Sequence, residues 1–235
     1  EGFRSVLGDE HPDTLNSINN MGSLLKAQGK LSEAEPYRRE ALAGSRRVLG
    51  DEHPSTLISI NNMGALLVSQ GKLVEGEAYV REALEIRRRV LGDEHPDTLR
   101  SINNMGSLLN AQGKLAEADP YRREALEGRR RLLGNEHPST LISIGNLGEL
   151  LRRQGKLAEA EPYFREALEG RRRVLGDEHP HTLISIINMG SLLRSQGKLA
   201  EAEPYYREAL EGFRSVLGDE HPDTLNSINN MGSLL

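Results

Sequence analysis

A repeat of 42 residues constrains this chain more than any other feature. The string GDEHP, or its variant GNEHP, begins at Gly8, Gly50, Gly92, Gly134, Gly176 and Gly218. A second string, QGKL, recurs with the same period from Gln28 to Gln196, and residues 1–25 are identical to residues 211–235. The 235 residues are therefore five periods plus an overlap of 25. We expect a single repeat array over residues 1–235, cut within a repeat at both ends.

Each period predicts two helices. The first opens at His-Pro-Asp-Thr, where Pro12 suits a first helical turn and Asp13 suits the positive end of the helix dipole. Gly29 is the expected left-handed residue after this first helix. The apolar stripe of the first helix, spaced by three and four residues, is Leu15, Ile18, Met21, Gly22 and Leu25. The second helix runs from about Leu31 to Leu49 and places inward Ala34, Ala41, Leu42, Val48 and Leu49.

A single hairpin of this kind cannot bury its own apolar face. Consecutive hairpins must therefore stack, which predicts an all-α solenoid of antiparallel helix hairpins. A glycine inside a helix costs about 0.5–1 kcal/mol relative to alanine, so a recurrent helical glycine indicates close contact between neighbouring helices. Glycine occupies one equivalent first-helix position at Gly22, Gly64, Gly106, Gly148, Gly190 and Gly232.

The repeated residues resemble tetratricopeptide repeats, in the 42-residue form of the kinesin light chain family. The resemblance covers the whole chain and rests on the pattern NNMGxLLxxQGKLxEAEPYxREAL followed by VLGDEHP. It implies a right-handed superhelix whose concave groove binds extended peptides. The chain departs from the family at the aromatic position of the second helix, where it carries Arg38, Val80 and Arg122. The heptad coiled coil that joins the family to the motor chain is missing, so the resemblance does not imply kinesin association.

Composition excludes several classes of site. There is no Cys, which excludes disulfides and zinc–thiolate centres, and the net charge of −5 argues against a nucleic-acid partner. No apolar run approaches the ~20 residues of a membrane span. We therefore expect a cytoplasmic protein without a cofactor, a metal or a membrane partner.

Catalysis is not predicted either. Six histidines occupy the same loop position in successive repeats, about a helix diameter (~10 Å) apart, which is too far to share one ion without long side-chain excursions. The Asp-Glu-His triplets lack a positioned nucleophile, and Gly-Lys in the turns lacks the other residues of a phosphate-binding loop. Arginine runs such as Arg87–Arg89 are expected to complement the negative ends of second helices and to form a solvated face. The chain is therefore predicted not to be an enzyme.

A ligand is expected on the side of the first helices that faces away from the apolar stripe. In resembling proteins this side lines the groove. Isoleucine on it, as at Ile58 and Ile142, is unusual unless it forms pockets. The candidate peptide-binding residues are Asn16, Asn19, Asn20, Lys26, Asn61, Asn62, Arg100, Asn103, Asn104, Asn146, Arg152, Arg153, Ile184, Ile187, Asn188 and Arg194.

The asparagines leave two interpretations open. One asparagine recurs in all six first helices, as at Asn20 and Asn62, and another precedes it in four of them, as at Asn19. A row of amides could pair with the backbone of an extended peptide, because each offers donors and an acceptor. Alternatively, the second asparagine lies near the neighbouring first helix and bonds between repeats.

Two functions fit these observations. The first is a non-enzymatic scaffold that binds a protein or peptide, with a preference for acidic segments carrying apolar anchors, because arginine and isoleucine enrich the predicted groove. The second is a structural array whose uncapped ends associate head to tail with further copies.

Overall fold

The computed structural model describes residues 2–234, which form twelve α-helices and no β-strand. The chain divides between Lys114 and Leu115 into two compact units. The helices of the first unit are α1 (Gly2–Leu7), α2 (Pro12–Ala27), α3 (Leu31–Leu49), α4 (Pro54–Ser69), α5 (Leu73–Leu91) and α6 (Pro96–Ala111). Those of the second are α7 (Leu115–Leu133), α8 (Pro138–Arg153), α9 (Leu157–Leu175), α10 (Pro180–Ser195), α11 (Leu199–Leu217) and α12 (Pro222–Gly232).

Helices that follow one another in each unit pack together, so each unit is a stack of helix hairpins. In the first unit α2 packs on α3, and α4 packs on both α3 and α5; in the second, α8, α9, α10 and α11 form the equivalent stack. First helices of neighbouring hairpins also touch, as α2 touches α4 and α8 touches α10. The predicted all-α solenoid of antiparallel hairpins is confirmed.

Helix boundaries follow from local chemistry in the repeated strings. His53 adopts extended backbone angles as the N-cap of α4, and its Nδ1 accepts the backbone N–H of Ser55 at 3.2 Å. Pro54 follows at the first helical position, where its missing N–H removes no intrahelical bond. Gly29 and Gly50 have φ angles of 75° and 82°, the left-handed conformation that glycine adopts without steric cost. The predicted helix starts and stops are therefore confirmed.

The QGKL strings that begin at Gln70, Gln112, Gln154 and Gln196 join their hairpin to the preceding one. Gln70 Nε2 donates to the Leu31 carbonyl oxygen at 3.1 Å and to Glu35 Oε2 at 3.0 Å. Lys72 Nζ lies 3.0 Å from the same carboxylate oxygen. Hydrogen bonds from Arg39, Lys72 and Gln70 lower the pKa of Glu35 from 4.5 to about 2. The string thus links the turn of one hairpin to the second helix of the preceding one.

The core contains most of the predicted apolar stripe, with two corrections. Leu15 and Ile18 are buried, but Met21 is 43% exposed, whereas the equivalent Met63 is fully buried. The difference arises because the helix preceding α2 is the six-residue α1, too short to cover Met21. Val48 is 41% exposed rather than inward-facing, since the buried stripe of α3 ends one turn earlier at Ser45.

The recurrent first-helix glycine admits the second helix of its own hairpin. A Cβ at Gly148 would lie 3.1 Å from two ring carbons of Phe164, and one at Gly64 would lie 2.9 Å from Val80 Cγ2. The second-helix glycines also have a packing reason, because a Cβ at Gly170 would lie 2.4 Å from Leu141 Cδ2. Small residues therefore set the helix spacing in both units, as predicted for the first helices.

Candidate functional site

Six of the seven histidines cap helices. In the described helices α2, α4, α6, α8, α10 and α12 the N-cap histidine accepts a backbone N–H through Nδ1. Across residues 2–234 no group of three or more His, Cys, Asp or Glu side chains is placed to hold a metal ion. The Nδ1 atom of each cap is thus committed to the backbone.

The arginine runs correct the prediction of a solvated face. Their first arginine is buried or half-buried: Arg171 is 7% exposed, and its Nη1 donates to Ser185 Oγ at 2.6 Å and to the His181 carbonyl at 3.1 Å. The second arginine makes ion pairs, as Arg172 does with Asp177 and with Glu208 of the next second helix. A guanidinium at the first position therefore bridges two helices within the protein instead of facing solvent.

The third arginine of a run points back to the preceding repeat. Arg173 Nε lies 2.9 Å from Glu136 Oε1, and Arg89 Nη2 lies 2.6 Å from Glu52 Oε1. These pairs involve the glutamates of the GDEHP and GNEHP strings. The glutamates of these strings thus form ion pairs between hairpins.

The aromatic position of the second helix takes a buried arginine in the first hairpin. Arg38 is 3% exposed, and its guanidinium donates to Asn19 Oδ1 and, at 2.8 Å, to Ser23 Oγ. Burial lowers the pKa of Arg38. In the second unit Tyr206 fills the equivalent position, and its hydroxyl donates to Ser191 Oγ at 3.1 Å. The side chain in this position therefore reaches the surface on which the ligand is expected.

We call the solvent-facing side of α2, α4, α6, α8, α10 and α12 the first-helix face. In the first unit it is exposed at Asn16, Asn20, Ile58 and Arg100. Asn19, in contrast, is only 9% exposed. The remaining predicted residues of this unit are half-buried on the same face: Lys26, Asn61, Asn62, Asn103 and Asn104.

The two asparagine rows bond to each other in the first unit. Asn62 Nδ2 donates to Asn19 Oδ1 at 3.4 Å, and Asn104 Nδ2 donates to Asn61 Oδ1 at 2.9 Å. The second asparagine of one hairpin thus reaches the first asparagine of the preceding hairpin. These bonds favour the inter-repeat interpretation in this unit, where they occupy the amide oxygen of the first row.

Two cations on the first-helix face of the first unit already have partners. Arg100 Nη2 lies 2.9 Å from Asp97 Oδ1 one turn earlier in α6. Lys26 Nζ donates to the Ala65 carbonyl of α4 at 3.2 Å. The pKa of Lys26 is lowered by burial and by the charge of Arg38. Arg100 is therefore neutralised by a carboxylate, whereas Lys26 is bonded to an uncharged carbonyl group.

The first-helix face of the second unit differs in the first asparagine row. Gly145 and Ile187 replace the first asparagine, while Asn146 and Asn188 keep the second. Exposed isoleucines stand in neighbouring hairpins, with Ile142 40% and Ile184 37% exposed. This unit therefore combines apolar side chains with an interrupted asparagine row.

The predicted arginines of the second unit are not equivalent. Arg152 forms a two-pronged ion pair with Glu149 of its own helix, with both contacts at 2.8 Å. Arg153 is exposed on the neighbouring position. Arg194 donates to the hydroxyl of Ser233, the C-cap residue of α12, and no carboxylate of the described chain pairs with it. Arg194 and Arg152 therefore differ in whether their charge is neutralised by a neighbouring carboxylate.

From the sequence, Arg38 and Arg171 are not predicted to be buried next to the first-helix face. A signal for Arg171 was present, because Phe213 occupies its position two helices later and is fully buried. A site that accepts an aromatic side chain in one repeat and arginine in another lies against the core, whatever the charge of its occupant.

None of the helices within residues 2–234 combines the length and apolar character needed to cross a bilayer.

Solved structures similar to this one include a protein with TPR-like repeats. A Podosopora anserina protein, named provisionally as a kinesin light chain with nearly identical TPR-like repeats, has 23% identity and a TM-score of 0.76, over 87% of this chain and 97% of that one. BtubC (BKLC) from P. vanneervenii has 22% identity and a TM-score of 0.76, over 90% and 84% of the two chains. A Rap protein complexed with competence and sporulation factor has 13% identity and a TM-score of 0.69, over 99% and 71%.

The comparisons confirm the predicted resemblance. No curated protein matches the chain by sequence. Tetratricopeptide repeat family models match residues 14–55 and, in overlapping windows, residues 56–131, 100–173, 144–215 and 183–235. The chain belongs to the tetratricopeptide repeat family, whose members typically serve as protein–protein interaction scaffolds.

Proposed function

We propose that this chain is a non-enzymatic scaffold that binds an extended acidic segment with apolar anchors along the first-helix face. The observation that carries the proposal is that the recurrent residues of each repeat stabilise the fold, whereas variable residues are exposed on the first-helix face. The residues of QGKL and GDEHP that recur are engaged in caps, turns and ion pairs between hairpins. Among the residues that vary between repeats, the exposed Ile58, Ile142 and Ile184 lie on the first-helix face.

Exposed isoleucine and unpaired positive charge give this face its chemical preference. Isolated isoleucines on a polar helix surface suit the apolar side chains of a ligand, since their burial is favourable by about 25 cal/mol per Å² of apolar surface. Arg194 supplies a cation that no carboxylate of the described chain neutralises. An extended segment with alternating acidic and apolar side chains fits this combination.

Fluorescence anisotropy with labelled twelve-residue peptides tests the proposal. One pool would combine Glu and Asp with Leu and Ile, and the other would replace the acids by Gln and Asn. Arg194→Glu should weaken binding of the acidic pool roughly tenfold, the effect of about 1.4 kcal/mol. Arg207→Glu is the matched control, because Arg207 lies on a second helix and pairs with Glu203.

The apolar anchors need a second pair of variants. Ile184→Asp should abolish the preference for Leu and Ile, whereas Val174→Asp should not, although Val174 is exposed to a similar degree (42%) at the end of α9. Failure of both pools to bind, or equal effects of the test and control variants, would refute binding at the first-helix face.

We propose head-to-tail association as a second candidate function. A cleft of about 770 Å³ at α1 and α2 is lined by apolar side chains that include Phe3, Val6 and Met21. On α12, Leu225 is 49% and Ile228 37% exposed. Light scattering at increasing protein concentration tests this candidate: Met21→Glu should reduce association, and a wild-type chain that stays monomeric at every concentration rules it out.

A further inference from the structure

The asparagine row of the second unit has a gap at Gly145. In the first unit the equivalent residues, Asn19 and Asn61, accept a hydrogen bond from the second asparagine of the next hairpin. At Gly145 no side chain is present, and a Cβ built there would have a single neighbour, Arg171 Nη2 at 3.9 Å. Gly145 itself is buried, so the missing side chain leaves unfilled space beside Arg171 Nη2, and we call this space the notch.

The notch is bordered by an amide that has lost its partner. Asn188 of α10 occupies the position of Asn62 and Asn104 in the first unit, 43 residues after the position that should accept its hydrogen bond. Within the described chain no hydrogen bond engages the Asn188 amide. Its donors remain available beside Gly145.

The other border is a buried cation. Arg171 is 7% exposed, and its Nη1 is held by Ser185 and His181. No group of the described chain bonds to its Nη2, the atom that faces the notch. Burial alone lowers the pKa of Arg171. In the first unit, burial and then the charge of Arg100 lower the pKa of the equivalent Arg87, and the charge of Asp97 partly opposes them.

The nearest acidic residue on α8 does not fill the notch. Glu149 lies one turn beyond Gly145, and both of its carboxylate oxygens are held at 2.8 Å by Arg152. Phe164, which lies behind this part of α8 against Gly148, is uncharged. The notch is therefore bordered by two N–H donors, Asn188 Nδ2 and Arg171 Nη2, and no carboxylate among the described residues pairs with either of them.

We propose that the notch beside Gly145 is a subsite for a carboxylate side chain of the bound segment, an inference that rests on the proposed function. The carboxylate accepts from Asn188 Nδ2 on one side and from Arg171 Nη2 on the other. Such charge-assisted bonds are shorter and stronger than neutral ones. Because the first unit fills the equivalent positions with asparagine, the subsite gives the groove a preferred register for an acidic residue.

Two substitutions at Gly145 separate the effect of filling the notch from the effect of replacing a helical glycine on stability. Gly145→Ala adds a methyl group at an ordinary contact distance and leaves the Asn188 amide without a partner. Gly145→Asn restores the asparagine of the first unit, fills the notch and re-forms the bond to Asn188. Both variants remove the same helical glycine, so only their effect on the notch differs.

The first measurement uses N-acetylglutamate amide as the probe and N-acetylglutamine amide as its neutral control. The side-chain amide signal of Asn188, assigned with an Asn188→Ser variant, is followed by nuclear magnetic resonance. It should shift with the glutamate probe in the wild type and in Gly145→Ala, but not in Gly145→Asn. A shift that persists in Gly145→Asn, that the glutamine control reproduces or that is missing from the wild type overturns the proposal.

The second measurement uses a pair of anchored peptides that differ by one central Glu or Gln. The wild type and Gly145→Ala should prefer Glu roughly tenfold, and Gly145→Asn should show no preference while still binding the Gln peptide. Retention of the preference by Gly145→Asn overturns the subsite. If neither peptide binds while the glutamate probe still shifts Asn188, the proposed scaffold function fails and the carboxylate site remains.

Discussion

Two helical glycines of the second unit allow the packing argument to be tested with one methyl group. A Cβ at Gly190 would lie 2.9, 3.1 and 3.2 Å from three ring carbons of Tyr206. Tyr206 is 1% exposed, and its hydroxyl donates to Ser191, so its ring is held in place. A Cβ at Gly145 would meet only Arg171 Nη2, at 3.9 Å. The two sites therefore differ in available space while sharing a helical backbone.

The expected magnitudes follow from that difference. Removing a glycine from a helix interior stabilises a protein by about 0.5–1 kcal/mol, and Gly145→Ala should show this gain alone. At Gly190 the same gain is opposed by overpacking, which costs about 1–3 kcal/mol. We expect Gly190→Ala to lower the free energy of unfolding by about 0.5–2 kcal/mol, and the two variants to differ by about 1–3 kcal/mol.

Urea unfolding followed by far-ultraviolet circular dichroism measures the difference. Both variants add one methyl group to a first helix, so helix propensity cancels in the comparison, and an unchanged urea dependence would show that the unfolded state is comparable. If Gly190→Ala raised the urea midpoint as much as Gly145→Ala, the contact with Tyr206 would not constrain the glycine. The packing explanation for the recurrent glycines would then be refuted.

Two further predictions concern the repeated strings. Hydrogen bonds from Gln112, Arg81 and Lys114 lower the pKa of Glu77 from 4.5 to about 2. Because the pKa of Glu77 is lower in the folded than in the unfolded state, its ionised form stabilises the fold above pH 4.5, and this stabilisation is lost as the pH falls towards 2. Glu77→Gln should therefore weaken the dependence of the urea midpoint on pH in this acidic range. An unchanged pH profile would contradict the prediction. His95→Ala should lower stability by about 0.5–2 kcal/mol and His95→Asn by less, since asparagine also caps helices; equal midpoints for the two would contradict the cap.

The helix boundaries could be read from the sequence because they depend on neighbouring residues. His53 and Pro54 begin α4, and Gly50 ends α3, through backbone conformations and hydrogen bonds within a few residues. The period of 42 then fixed the order of hairpins without knowledge of their contacts. The exposed isoleucines of the first-helix face followed from helical periodicity alone.

Tertiary contacts decided which polar side chains are buried and which remain free. Arg171 carries a charge and would be expected to face solvent. Its guanidinium is nevertheless buried, because Ser185 of the next hairpin supplies a hydrogen-bond partner. Likewise, whether an asparagine bonds between repeats depends on the residue 43 positions earlier. Asn104 donates to Asn61, whereas Asn188 has Gly145 at that position, which offers no side-chain acceptor. Local sequence determines the helices and their faces, but only the stacking of one hairpin on another determines where hydrogen-bond donors remain unpaired.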